Sequence, residues 1–165
     1  MPRMHPRAAE LIRDLALAPH PEGGRYRRVH VSAATVATAA GPRPASSAIR
    51  FLLCAGERSA WHRIDADEAW HWQEGGPLAL TLFDGREVRR VELGPSAQGG
   101  MPMQVVPAGT WQSARPLGDF SLVACLVAPG FEWGGFELLD AAGDTARELA
   151  RLGVLHEDGR VGSSP

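Results

Sequence analysis

The sequence predicts an all-β protein, a barrel of short antiparallel strands with a short helix at each end. Three observations predict it. Glycine (19) and proline (13) are plentiful in 165 residues, and so many backbone breakers suit many short strands better than a few long helices. Short apolar runs alternate with turn signals about every 8 to 12 residues, the spacing of antiparallel sandwiches and barrels. No segment repeats with a fixed period, so one barrel is expected and not an array.

The elements follow in order. Leu11, Ile12, Leu15 and Leu17 give approximate helical spacing, which Pro19 and His20-Pro21 stop. Glu22-Gly23-Gly24 makes a turn, and Tyr26 to Ser32 reads as a strand. Residues 33–46, rich in Ala, Thr, Gly and Pro without an apolar period, read as an exposed, mobile loop. Ser47 to Cys54 is an apolar run ended by Ala55-Gly56. Ala60 to Ile64 and Glu68 to Gln73 are strands parted by Asp65-Ala66-Asp67, and Asp84-Gly85 is a hairpin dipeptide between Leu78 to Phe83 and Glu87 to Leu93. Met103 to Val106 runs into Pro107-Ala108-Gly109, and Phe120 to Val127 and Phe136 to Leu139 complete the strands. Asp144 is read as the N-cap of a helix reaching Leu152, followed from His156 by a frayed polar tail. This divides the chain into a helical segment (1–19), a barrel (20–140) and a C-terminal helix with its tail (141–165).

Composition removes several function classes. The formal charge is −2 and the pI about 6.3, so no basic field attracts nucleic acid, and the run Arg25 to Arg28 reads as the solvated edge of a strand. Cys54 and Cys125 sit in apolar runs and read as buried thiols of a reducing compartment, not a disulfide or a metal pair. Residues 1–7 contain no apolar core of a secretory signal, and no apolar stretch reaches the roughly 18 to 20 residues of a membrane helix. A soluble, cytoplasmic protein without membrane or nucleic-acid partners is expected.

The chemistry-bearing stretch runs from Gly56 to Gly75. Side chains alternate along a strand, so His62 and Ile64 share a face. After the turn, Glu68 opens the next antiparallel strand, where its carboxylate can lie across the barrel from His62. Trp70 and Trp72 share the face of Glu68, giving a cavity with aromatic walls, and His71 points the other way, toward packing or an interface. A second stretch, Pro107-Ala108-Gly109-Thr110-Trp111-Gln112, turns sharply and can deliver Gln112 into the same cavity. The Glu22-Gly23-Gly24 turn either closes the mouth of the barrel or simply enters a hairpin.

Gly56 with five residues before His62, then Glu68, then six residues before Gly75, resembles the first cupin motif, and Pro107-x-Gly109-x-x-Gln112 resembles the second. His20-Pro21-Glu22-Gly23-Gly24, Trp61-His62-Arg63 with Asp67-Glu68-x-Trp70-His71, Val106 to Gln112 and Ala128-Pro129-Gly130-Phe131 are similar to a small branch of single-domain cupins of unassigned function. The resemblance covers roughly residues 8 to 140. It implies a cupin-type double-stranded β-helix, a jelly-roll-like barrel, and a homodimer.

The chain departs from the metal-binding pattern of that family. Ile64 stands where a second histidine is usual, and Gln112 where a third is. Imidazole, thiolate and carboxylate ligate divalent transition metals well and an amide poorly, so no cofactor is expected. A divalent metal, if bound, would fall to His62, Glu68 and Gln112. Four functions stay open. The first is metal-free binding of a small polar, sugar-like or ring-containing metabolite in the barrel mouth, with Gln112, Trp70, Trp72, Glu22 and His71 as candidate ligand contacts. The second is an isomerase or epimerase with His62 and Glu68 as catalytic acid and base and Gln112 holding an oxygen. The others are a weakly metal-dependent enzyme and a purely structural protein with an aromatic dimer core.

Overall fold

The computed structural model describes residues 4–155. A helix, α1 (Pro6–Asp14), is followed by β1 (Ala18–Pro19), β2 (Arg25–Val31), β3 (Thr35–Thr38), β4 (Gly41–Pro44) and β5 (Ser47–Cys54). Then come β6 (Ser59–Ile64), β7 (Asp67–Gly75), β8 (Leu78–Phe83) and β9 (Val88–Leu93). Last are β10 (Met103–Val106), β11 (Trp111–Pro116), β12 (Phe120–Ala128), β13 (Phe136–Leu138) and the helix α2 (Asp144–Arg151). A six-stranded sheet, ordered β1-β2-β5-β12-β7-β10, faces a five-stranded sheet, ordered β13-β6-β11-β8-β9, and every ladder between named strands is antiparallel. This is the jelly-roll architecture expected from the sequence.

Burial on both faces explains the unbroken apolar run of β5. Phe51 and Leu53 point between the sheets, into a core shared with Trp70, Leu80, Val106 and Val123. Leu52 and Cys54 point outward, where Leu11 and Leu17 of the N-terminal segment cover them. On the opposite sheet Leu149 of α2 and Val154 cover Trp61, Phe83 and Trp111 in the same way. The two helices are lids over outer faces that would otherwise be apolar and wet. Both cysteines are buried and free, and none of the described helices is long and apolar enough to cross a membrane.

Four details differ from the sequence reading. Residues 33–46 are not a structureless loop: they contain the β3–β4 hairpin. Arg43 pins it, its Nε donating to the Gly130 carbonyl (2.6 Å) and its two terminal nitrogens to the Asp65 carboxylate (3.1 and 2.9 Å). Side-chain anchoring of this kind leaves no apolar period to read. The strand β11 has no counterpart among the predicted elements, because Gln112, Ser113, Arg115 and Pro116 break its apolar pattern; Gln112 and Ser113 are buried polar residues with partners. Gly143, not Asp144, is the N-cap of α2, and Asp144 lies in the first turn, where its charge meets the positive end of the helix. Finally, β6 and β7 do not pair with each other, since the turn between them carries the chain from one sheet to the other. The polar tail from His156 lies outside the described residues.

Candidate functional site

The crossing from β6 to β7 sets His62 and Glu68 on opposite sheets. Both point inward, and both are buried. His62 lies opposite Gln112 in the β6–β11 ladder, while Glu68 lies between Val106 and Val127 in the other sheet. A third acid joins them from the turn before β2. There the Ala60 amide donates to the Glu22 carbonyl (2.7 Å), tying the turn to the start of β6. Gly23 has φ +108, and a Cβ at that position would collide with the Arg58 carbonyl. Only glycine lets the chain pass there and bring the Glu22 side chain inside.

Hydrogen bonds fix the proton positions around Glu22 and His62. The Ser59 hydroxyl donates to Glu22 Oε1 (2.9 Å), and Glu22 Oε2 lies 3.2 Å from His62 Nε2. On the other side of the ring, His62 Nδ1 sits 2.8 Å from the Ala60 carbonyl. A carbonyl only accepts, so Nδ1 carries hydrogen and Nε2 of the neutral ring accepts from a protonated Glu22. Proton affinities agree. Burial pushes Glu22 up to about 8 and Glu68 up to about 7, and burial lowers His62. His20, whose Nδ1 accepts from the Glu22 amide (3.1 Å), is pushed down to about 4 by burial and by the nearby His62. Near neutrality His20 and His62 are uncharged, Glu22 holds its proton and Glu68 is close to half-titrated.

Glu68 belongs to a second chain of bonds. Gln112 Nε2 donates to Glu68 Oε2 (2.6 Å), and Gln112 Oε1 accepts from Trp70 Nε1 (2.9 Å).

A cavity opens between these groups. His20, Glu22, His62 and Glu68 form its polar side; Ile49, Ile64, Cys125 and Val127 form its aliphatic floor. Its aromatic walls are Tyr26, Phe131, Trp133 and Phe136, and Arg28 stands on its lining as well. The His62 ring stacks on Phe136 with centroids 5.5 Å apart. The enclosed space is about 40 Å³, room for a water or two or for one small functional group, and less than an aromatic ring needs.

The sequence-derived site residues divide accordingly. His62, Glu68 and Glu22 come together on the cavity. Trp70 and Trp72 do not wall it: Trp70 is core, and the Trp72 indole donates to the Gly76 carbonyl (3.1 Å). The aromatic walls come from β2 and the segment 131–136 instead. Gln112 stands behind Glu68, outside the lining, and His71 lies on the outer face of its sheet, paired in register with Met103 and Ala124. Sequence reasoning missed His20, Arg28, Phe131, Trp133 and Phe136. His20 and Phe131 lie within the motifs His20-Pro21-Glu22-Gly23-Gly24 and Ala128-Pro129-Gly130-Phe131, which were readable as motifs without showing that they converge.

The residues do not fit the metal implied by the resemblance. Both ends of the Gln112 amide are committed, His62 presents one nitrogen to a carbonyl and the other to Glu22, and Ile64 puts an apolar side chain in a ligand position. Among the described residues no group of three or more His, Cys, Asp and Glu side chains has metal-binding geometry.

Comparison with known proteins places this arrangement. The family model described as Cupin superfamily (DUF985) matches residues 9–139. A solved hypothetical protein from Leishmania major is 31% identical, over 89% of this chain and 94% of that one, with a TM-score of 0.80. A solved protein from Shewanella oneidensis is 34% identical, over 93% of this chain and 97% of that one, with a TM-score of 0.79. Oxalate decarboxylase from Bacillus subtilis shares the fold at 17% identity, over 82% of this chain and 34% of that one, with a TM-score of 0.56. None of the curated proteins matches. The chain belongs to the cupin superfamily, in the branch described as DUF985.

Proposed function

We propose that this cupin binds a small polar metabolite in the barrel without a tightly held metal, and that Glu22, His62 and Glu68 exchange protons with it. One observation carries the reading: two buried carboxyl groups with affinities near 8 and 7 and a neutral histidine share one cavity. Burying ionisable groups without a full charge partner costs stability, and such clusters are characteristic of sites of binding or catalysis. The small enclosed volume favours a ligand whose polar end enters the cavity. A ring or sugar face, if the ligand has one, lies outside it against Trp133, which is 47% exposed at the rim. The test is calorimetric titration of the wild type and of Glu22→Gln and Glu68→Gln with a panel of small hydroxy and carbonyl compounds. Binding that weakens at least tenfold in both variants supports the reading, and a panel without a binder overturns it.

A second reading, an isomerase or epimerase, is favoured by the 3.2 Å contact between Glu22 and His62. Across that contact the Glu22 carboxyl can take a proton from the ligand at one oxygen while passing its own to His62 Nε2, which is a proton relay. Deuterium appearing at a carbon of a bound hydroxy or keto compound in heavy water supports it. Its absence from every compound that binds rules it out.

The homodimer implied by the resemblance is proposed to form through the outer face of the six-stranded sheet. Val105, Ala69, Leu126 and Ala48 make one row across four strands, and Val105 and Leu126 are each 41% exposed. A flat row of small and aliphatic side chains can pack on its own copy across a two-fold axis.

A further inference from the structure

We propose that the ligand is a small monocarboxylic acid and that Arg28 is the residue that takes its carboxylate. The inference rests on the small-molecule reading above and names the chemistry of the ligand. Arg28 is on the same face of β2 as Tyr26, two residues apart, and both line the cavity. Its register partner is Ile49, whose own partner across β12 is Cys125, and both of these also line the cavity. Directly after Arg28 the β2–β5 ladder slips, with Val29 the extra residue between the Arg28–Ile49 and His30–Ala48 pairs. A bulge at that point re-aims the neighbouring side chain, a common device beside binding sites.

Arg25, on the same strand, is paired with Glu57 (2.8 Å). Among the described residues no carboxylate pairs with Arg28, and it is not among the groups acting on Glu22 or Glu68. The cavity lining therefore holds an exposed guanidinium as well as two buried carboxyl groups. A guanidinium binds a carboxylate by two parallel hydrogen bonds. Arg28 is exposed, so a carboxylate on it stays at the mouth. The hydroxyl or carbonyl at the other end of a short molecule is then the one small group that enters the cavity toward Glu22 and His62. The aliphatic floor of Ile49, Ile64 and Val127 fits the carbon chain between the two ends. A second carboxylate at the far end of the ligand would meet the partly ionised Glu68, so a monocarboxylate is favoured over a dicarboxylate.

The experiment compares acids with their amides on the full-length protein. Glycolate, lactate and pyruvate are titrated against glycolamide, lactamide and pyruvamide, with methyl phosphate as a further arm, in wild type and Arg28→Gln. The expected result is a preference for acid over amide of at least tenfold in the wild type, falling to near one in Arg28→Gln. Arg28 is exposed, so the variant folds, and an unchanged melting temperature verifies it. Equal affinity for acid and amide in the wild type overturns the inference, as does a preference that survives Arg28→Gln or tighter binding of methyl phosphate. Amides that bind while acids do not would sink this inference and leave the small-molecule reading standing. If neither series binds, both fall.

Discussion

Glu22 Oε2 and His62 Nε2 are 3.2 Å apart, within reach of one hydrogen bond. The Ala60 carbonyl holds the other ring nitrogen as a donor, so in the neutral pair the donor of that bond is Glu22. The carboxyl group comes from a turn and the imidazole from a strand some forty residues later in the chain. Neither is isolated, since Ser59 donates to the acid and Phe136 stacks on the ring.

Stability should therefore fall above neutrality. Glu22 binds its proton up to about pH 8 in the folded state against an ordinary value of 4.5, and Glu68 up to about 7. Raised values contribute stability that is fully present below pH 4.5 and lost as pH climbs to the folded values. The lowered histidines act oppositely: His20, moved from 6.5 to about 4, contributes stability present above 6.5 and lost as pH falls toward 4. Between 4.5 and 6.5 the two effects oppose each other, and from 6.5 to 8 the carboxyl groups act alone. The groups facing Glu22 are His20, His62, Ser59 and Glu68, and Arg28 also stands on the cavity lining. Urea unfolding should show a loss of about 2 kcal/mol between pH 6.5 and 8.5. Glu22→Gln, neutral at every pH, should remove most of that slope. An equal slope in the variant would assign the loss to other groups.

Gly23→Ala should separate the position of Glu22 from its chemistry. The new methyl group meets the Arg58 carbonyl, and the backbone there has φ +108. The turn must move, and with it the acid. A destabilisation of more than about 2 kcal/mol is expected, together with a loss of the alkaline slope that Glu22 causes. A variant that unfolds at the wild-type urea midpoint with the same slope would show that the turn tolerates a side chain.

Much of this was legible in the sequence, for reasons that differ by residue. Strand β8, Leu78 to Phe83, was readable to the residue, because a two-residue turn signal and an apolar run delimit it. Strand β11 was not, because its inward Gln112 is polar and its burial depends on Glu68 and Trp70 from the other sheet. Strand parity correctly put Glu68 and Trp70 on one inward face. Parity carries no depth, however: it could not tell that Trp70 packs in the core while Glu68 borders the cavity. The walls that do exist, Tyr26 and residues 131–136, join the site only through tertiary contact.

Gln112→Leu should cost about 2 to 4 kcal/mol, because it strands a buried indole N–H and a buried carboxyl group together. Trp70→Phe in the same background should cost less than it does alone, since the orphaned donor is already without its acceptor. Thermal unfolding of the four proteins of that cycle measures the coupling. Additive losses would mean that the 2.9 Å bond between Trp70 and Gln112 contributes nothing net.

Leu126→Arg should break the proposed dimer and spare the cavity. Leu126 and Val127 are neighbours on β12 facing opposite ways: Val127 lines the cavity, and Leu126 lies outside in a row with Ala48, Ala69 and Val105. An arginine there puts a charge and a long side chain at the centre of a small, flat apolar face. In an isologous interface each substitution is felt twice, once from each copy. Sedimentation velocity should show a wild-type dimer and a variant monomer at the same concentration. Melting of the variant should become independent of protein concentration, because its stability no longer draws on association. If Leu126→Arg sediments like the wild type, this face does not carry the contact.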